Sequence, residues 1–286
     1  MKYYIQMMKP RISLLVLLTG YLGYYLGLRS IDSNNYDNLI FLFIGMFFSS
    51  SGCAVLNQYL EKDLDSKMKR TMNRAIPSGK IQPINALLFG SILCVFGVFF
   101  IYQTINYLTT VICFSTIFLY LFVYTQSKRY STLNTLIGSI PGALPVVGGW
   151  TAATNSLNSI SWILFAILFC WQIPHFLAIA IIYSKDYKKG GFKMLPSEYP
   201  NSKHTQYHVL FFSIAMIGTS MGLYFKQILD LGYLIGISII GALFFIIVFK
   251  FIKNSSSKNA KKLMVATLFY FPLMFILIIL NALGYI

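Results

Sequence analysis

Between Asn57 and Lys80 the chain places three of its eight acids and six of its 23 bases, directly after a long apolar run. Asn57, Glu61 and Asp65 are spaced i, i+4, i+8, which stacks them along one helical face with modest angular drift; Asp63 points away from that row. Carboxylate and amide oxygens are the ligands Mg²⁺ prefers, and Mg²⁺ is normally shared between a few carboxylates and substrate phosphates. Arg70 and Arg74 follow, and each can contact phosphate oxygens bidentately. Acids beside a basic cluster at a helix exit therefore suit a metal-bridged diphosphate. The same spacing suits a solvated helix end with i,i+4 charge pairs, and on spacing alone both readings stand.

A second polar cluster runs from Tyr183 to Pro196 and holds one acid, Asp186, among Lys185, Lys188, Lys189 and Lys193. Asp186 would complete a metal set with Asn57, Glu61 and Asp65, while Lys185 and Lys189 would bind phosphate as mobile point charges. Alone, this segment reads as a basic loop with an incidental acid. Two loops of matched chemistry favour a shared anion site, with Asn57, Asp65 and Asp186 as the candidate catalytic residues should the chain be an enzyme.

The elements that must position these groups are membrane helices. Hydrophobic residues make up 57% of the chain and charged residues 11%, the composition of an integral membrane protein. A spanning helix needs roughly 20 apolar residues. Nine such stretches can be laid out, at about 12–28, 38–60, 83–102, 105–124, 131–150, 160–183, 207–226, 229–251 and 263–284. Little chain is left over, so residues 1–286 are read as one membrane domain with its function in the bundle and its loops. The first run lacks a small-x-small cleavage pattern and reads as a retained helix.

Of the 23 Lys and Arg, all but Arg29 and Lys226 fall on one side of that layout. The positive-inside rule then puts the N-terminus and both polar clusters on the cytoplasmic side of a cytoplasmic membrane, with Asn34 and Asn155 on the opposite side. The net charge of +15 is topology plus attraction to anionic lipid and substrate. It is split among short loops, which argues against nucleic acid. Cys53, Cys94, Cys113 and Cys170 lie in apolar stretches without CxxC pairing and read as reduced, structural thiols. His204 and His208 are spaced i,i+4, but nothing nearby supplies a third metal ligand.

Two features stay open on the residues alone. His175 lies within the sixth apolar stretch, where a lone histidine is either a satisfied core residue or an intramembrane functional group. Pro141 and Pro145 with Gly138, Gly142, Gly148 and Gly149 interrupt the fifth, either for close helix packing or to make room for a planar ligand.

Asn57-xxx-Glu61-xxx-Asp65, followed by Arg70-Thr71-x-Asn73-Arg74, resembles the first aspartate-rich motif of the UbiA superfamily of intramembrane prenyltransferases. Three further features resemble one branch, the protoheme IX farnesyltransferases (haem O synthases). They are Asp63 between the motif acids; Pro141-Gly-Ala-Leu-Pro145-Val-Val-Gly-Gly-Trp150; and Trp171-Gln-Ile-Pro174-His175-Phe176 with Lys185-Asp186-Tyr187 and Gly191-Phe-Lys-Met194-Leu195-Pro196. The resemblance covers about residues 9–200. Glu61 stands where the superfamily commonly has Asp, Ala75 and Ile173 replace frequent prolines, and the second motif keeps one acid.

The resemblance implies an all-α bundle of nine transmembrane helices that binds a prenyl diphosphate through Mg²⁺. It implies farnesyl diphosphate and protohaem IX as substrates, His175 on the haem side as a propionate partner or iron contact, and a haem-transfer partner such as a haem A synthase or terminal oxidase. An acceptor of the quinone or chlorin type is the alternative within the superfamily. A transporter of an anionic substrate is the alternative outside it, since basic loops and broken helices suit that too.

Overall fold

The computed structural model describes residues 1–33, 35–200 and 202–285; Asn34, expected opposite the basic loops, lies outside them. Among the described residues nine helices are long and apolar enough to cross a membrane. They are α2 (Pro10–Ser30), α3 (Leu39–Leu60), α5 (Pro83–Thr104), a continuous span Tyr107–Tyr130, α8 (Asn134–Thr154), α9 (Ser159–Ile182), α12 (His204–Phe225), α13 (Leu231–Lys253) and α14 (Ser257–Ala282). A short helix, α1 (Lys2–Met7), precedes them, and α4 (Lys62–Asp65), α10 (Ser184–Gly190) and α11 (Leu195–Glu198) lie between spans. Helices suit these apolar runs because each span satisfies its own backbone groups where no water can.

The span Tyr107–Tyr130 is built from α6 (Tyr107–Phe118), a π-helical turn at Leu119–Tyr124 and α7 (Thr125–Tyr130). It runs beyond the expected end near 124, so Lys128 and Arg129 sit on a helix rather than in a loop. Hydropathy cannot extend a helix into charge; the partners of those two bases, described below, do. α14 likewise starts before the apolar stretch at 263, because Ser256 accepts from the Asn259 N–H as an N-cap.

The helices form two compact units. The first comprises residues 1–157 and 185–193, hence α1 to α8 with most of α10. Its helices cross at small residues. A Cβ on Gly23 of α2 would stand 1.9 Å from the Val146 carbonyl oxygen of α8, and one on Gly149 would stand 1.9 Å from that of Gly20. α8 runs unbroken from Asn134 to Thr154 with Pro141 and Pro145 inside it. The glycines at 138 and 149 thus serve close packing, the first against Tyr124 and the second against α2.

The second unit comprises residues 158–184 and the chain from Met194 on. α9 opens with a capping box in which Asn158 accepts from Ser161 N–H and the Ser161 hydroxyl accepts from Asn158 N–H. Buried hydroxyls link its other helices: Tyr233 donates to the Ser220 carbonyl at 3.0 Å, and Tyr270 meets the Ser220 hydroxyl at 3.1 Å. All four cysteines are free; Cys53, Cys94 and Cys170 are buried and Cys113 is half-buried.

Candidate active site

The row Asn57, Glu61, Asp65 is not one helix. α3 ends at Leu60, Glu61 is its C-cap, and α4 restarts at Lys62. The i to i−4 bonds persist across the joint, from Glu61 N–H to Asn57 O at 3.0 Å and from Asp65 N–H to Glu61 O at 2.8 Å, so the three side chains keep one side. All are buried, at 3%, 4% and 0% exposure, whereas Asp63 is exposed. Arg129 Nη2 donates to the Leu60 carbonyl at 2.7 Å, satisfying an acceptor that the end of α3 leaves free.

Each buried acid meets a base. Lys128 Nζ lies 2.7 Å from Glu61 Oε1, and Arg74 donates to Asp65 Oδ2. Asp65 Oδ1 is buried with no hydrogen-bond partner. Burial pushes the Asp65 carboxyl above the usual range, Arg74 opposes this, and Glu61 adds to the upward push. An anion with one orphaned oxygen in a desolvated place is stabilised by a further cation. Asn57 donates through Nδ2 to Thr125 Oγ1 at 3.2 Å, which aims its carbonyl end elsewhere.

The second polar segment docks on the same unit. Arg70 Nη2 reaches the Tyr187 hydroxyl at 3.3 Å and its guanidinium lies 5.4 Å from that ring. Lys193 N–H donates to the Lys128 carbonyl at 2.8 Å, Asn134 Nδ2 donates to Lys193 O at 2.6 Å, and a Cβ on Gly190 would touch Met68. Asp186 is half-buried, and Lys185 and Lys189 are exposed; none of the three has an ion pair among the described residues.

Three groups here were not singled out by sequence reasoning. Lys9, counted there only as a topogenic base, has a left-handed backbone (φ 49°) at the start of α2. Strain of that kind persists where surroundings over-determine it. Its ammonium pKa is lowered to about 8 by burial and then by Arg74 and Lys128, with Glu61 and Asp65 pulling the other way. Its only sequence signal is the Pro10 that follows it. Lys128 and the tyrosines of the π turn are the others. Tyr124 has Lys128 Nζ 4.3 Å from its ring centre and Tyr120 at 5.4 Å. π turns recur at functional sites, but nothing in the residue types announces one.

His175 belongs to the second unit. Its ring stacks on Trp171 at 5.4 Å and 10°. Nδ1 is 2.8 Å from Thr267 Oγ1, which itself donates to the Met264 carbonyl at 2.6 Å. Trp171 Nε1 donates to the Thr267 carbonyl at 2.6 Å. With the threonine proton committed to Met264, His175 donates from Nδ1 and keeps a lone pair on Nε2.

Among the described residues no three of His, Cys, Asp and Glu are grouped to hold a metal by themselves. A cation shared with a substrate needs fewer: Mg²⁺ typically takes one or two carboxylates plus phosphate oxygens. The orphaned Asp65 oxygen, with Asn57 and Glu61 alongside, fits that pattern.

Residues 16–279 match the UbiA prenyltransferase family. The chain is 35% identical over 291 residues to a protein of Solibacter usitatus (strain Ellin6076) named protoheme IX farnesyltransferase, covering 99% of this chain and all of that one. It is 37% identical to the protein of the same name from Rickettsia prowazekii (strain Madrid E), covering 97% and 89%. In fold it is similar to a structure described for digeranylgeranylglyceryl phosphate synthase, with TM-score 0.83, 20% identity and 99% and 98% coverage. A UbiA homologue from Archaeoglobus fulgidus bound to DMAPP and Mg²⁺ is similar with TM-score 0.65, 14% identity and 96% and 99% coverage.

Proposed function

The chain belongs to the UbiA prenyltransferase family, and from that premise we propose that it transfers farnesyl from farnesyl diphosphate to a vinyl group of protohaem IX. The C1–O bond of the allylic diphosphate breaks with its electron pair leaving on diphosphate. The terminal vinyl carbon bonds to C1, and water adds to the adjacent carbon with loss of a proton. Atoms and charge balance without a redox partner. Full-length relatives named for this reaction support the acceptor, and membership in a prenyltransferase family leaves no place for the transporter reading.

The observation that carries the donor half is the buried, half-satisfied Asp65 among Lys9, Arg74 and Lys128. Asn57, Glu61, Asp65 and Asp186 would hold Mg²⁺, which when bound supplies Lewis-acid stabilisation of the leaving diphosphate. Arg74, Lys9 and Lys128 beside the buried acids, with the exposed Arg70, Lys185 and Lys189 at the rim, neutralise that developing charge. Tyr120 and Tyr124 offer ring faces to the allylic cation. Thr267 fixes the His175 tautomer, and the free Nε2 lone pair favours haem iron over a propionate, which would need a donor.

The N-terminus and both acidic segments face the cytoplasm in this reading, residues 1–286 act as one domain, and the product passes to a haem-handling partner such as a haem A synthase or terminal oxidase. Purified protein supplied with farnesyl diphosphate, protohaem and Mg²⁺ should release pyrophosphate in step with farnesylated haem. Pyrophosphate released without haem present, or with a quinone precursor in its place, would redirect the acceptor.

A further inference from the structure

Within the second unit, α13 and α14 bound a groove of about 660 Å³, within the roughly 300–1,000 Å³ of small-ligand sites. Its body is apolar, with Leu243, Ile247, Val265, Phe269 and Leu273 among its walls, and its mouth carries Lys250, Lys258, Lys261 and Lys262. The lining holds no acid, and none of the four lysines has an ion pair among the described residues. Three of them occupy the first two turns of α14, whose first turn has no acidic residue. They therefore add positive charge to the positive end of a helix dipole, an arrangement that costs stability unless an outside anion balances it. The mouth is held in shape: Asn259 Nδ2 donates to Asn254 O at 2.8 Å and approaches Lys250 O at 3.4 Å, tying the two helix ends together.

We propose that this groove binds an anionic phospholipid, its headgroup phosphate on the Lys250, Lys258, Lys261 and Lys262 cluster and an acyl chain along the apolar wall between α13 and α14. Charge complementarity selects an anionic head, and the length of apolar wall beneath it selects a lipid over free phosphate. A prenyl diphosphate is also an anion with an apolar tail, but the groove offers no carboxylate to share its metal, unlike the Asp65 site. The bilayer's basic-loop side supplies anionic lipid at high local concentration, and each lysine near that surface adds favourably to binding.

The test is native mass spectrometry of the full chain in detergent, titrated with phosphatidylglycerol or phosphatidylcholine of identical acyl chains. Wild type should retain phosphatidylglycerol at least roughly tenfold more tightly. K258Q/K261Q/K262Q should lose that preference while retaining farnesyl diphosphate turnover, which reports an intact fold. Ala266→Trp, which fills the groove without changing charge, should lose the tightly held phosphatidylglycerol as well. The proposal is overturned by equal retention of the two lipids in wild type, or by an unchanged preference in both variants. Displacement of the lipid by inorganic phosphate, or by farnesyl diphosphate without Mg²⁺, would also overturn it, as would a lipid-free dimer that the triple variant dissolves.

Discussion

Two basic regions of this molecule look alike in composition and differ in what surrounds the charge. In the first unit Lys9, Arg74 and Lys128 sit with Glu61 and Asp65 buried among them, and one carboxylate oxygen is left without a partner. In the second, the lysines at the start of α14 are exposed and stand over an apolar wall without an acid. Buried acids interleaved with bases make a place where a metal and a diphosphate can be held together; bases alone attract an anion but cannot share a metal with it. Clustered bases thus support two chemistries, and the carboxylates decide which.

The largest effect that would break this distinction is at the acids. Asp65→Ala and Asp186→Ala should each lower turnover by at least about a thousandfold, while the proteins still purify as folded membrane species. Asn57→Ala should be severe but less complete, and exposed Asp63→Ala milder still. Near-wild-type turnover in purified Asp65→Ala would remove the metal site. Next, Lys128→Ala leaves Glu61 buried without its base and should destabilise the protein by about 3 kcal/mol, read as a lowered thermal midpoint. Lys262→Ala, at the exposed cluster, should leave that midpoint nearly unchanged.

His175 sharpens the comparison from the second unit. His175→Ala should lose farnesylation of haem by about a hundredfold or more while retaining affinity for farnesyl diphosphate. Equal loss of both substrates in a destabilised protein would return the residue to the core.

The smallest effect is in pH. Lys9, with its pKa lowered to about 8 between Arg74, Lys128, Glu61 and Asp65, is charged below that value and neutral above it. Farnesyl diphosphate affinity measured in metal-free buffer should therefore fall severalfold as pH rises through about 8. Lys9→Arg, which stays charged throughout, should flatten that profile; a drop of equal size in the variant would assign it to another group.

What the residues alone disclosed follows from what each signal measures. Hydropathy counts apolar runs, so the nine spans were legible to within a few residues at most ends. It failed at Tyr130 and Ser257, where a salt bridge and a serine cap carry helix into charged sequence. Spacing placed Asn57, Glu61 and Asp65 on one side, because the i to i−4 bonds survive the joint at Glu61. It could not show that α3 stops there. Lys9 and Lys128 were invisible as site residues because their role comes from neighbours 52 or more positions away along the chain. The glycines of α8 were ambiguous for the opposite reason: close packing and ligand space ask for the same residue, and the approach of Tyr124 to Gly138 and of the Gly20 carbonyl to Gly149 decides for packing at those two positions.

The central claim is the reaction itself, and the mass of the haems extracted from cells that carry the chain tests it most directly. Cells expressing the wild-type chain should contain haem enlarged by a hydroxyethylfarnesyl substituent, and cells expressing Asp65→Ala at equal level should contain protohaem alone. Unmodified protohaem in well-expressing wild-type cells, or farnesylated haem undiminished in the variant, would contradict the account.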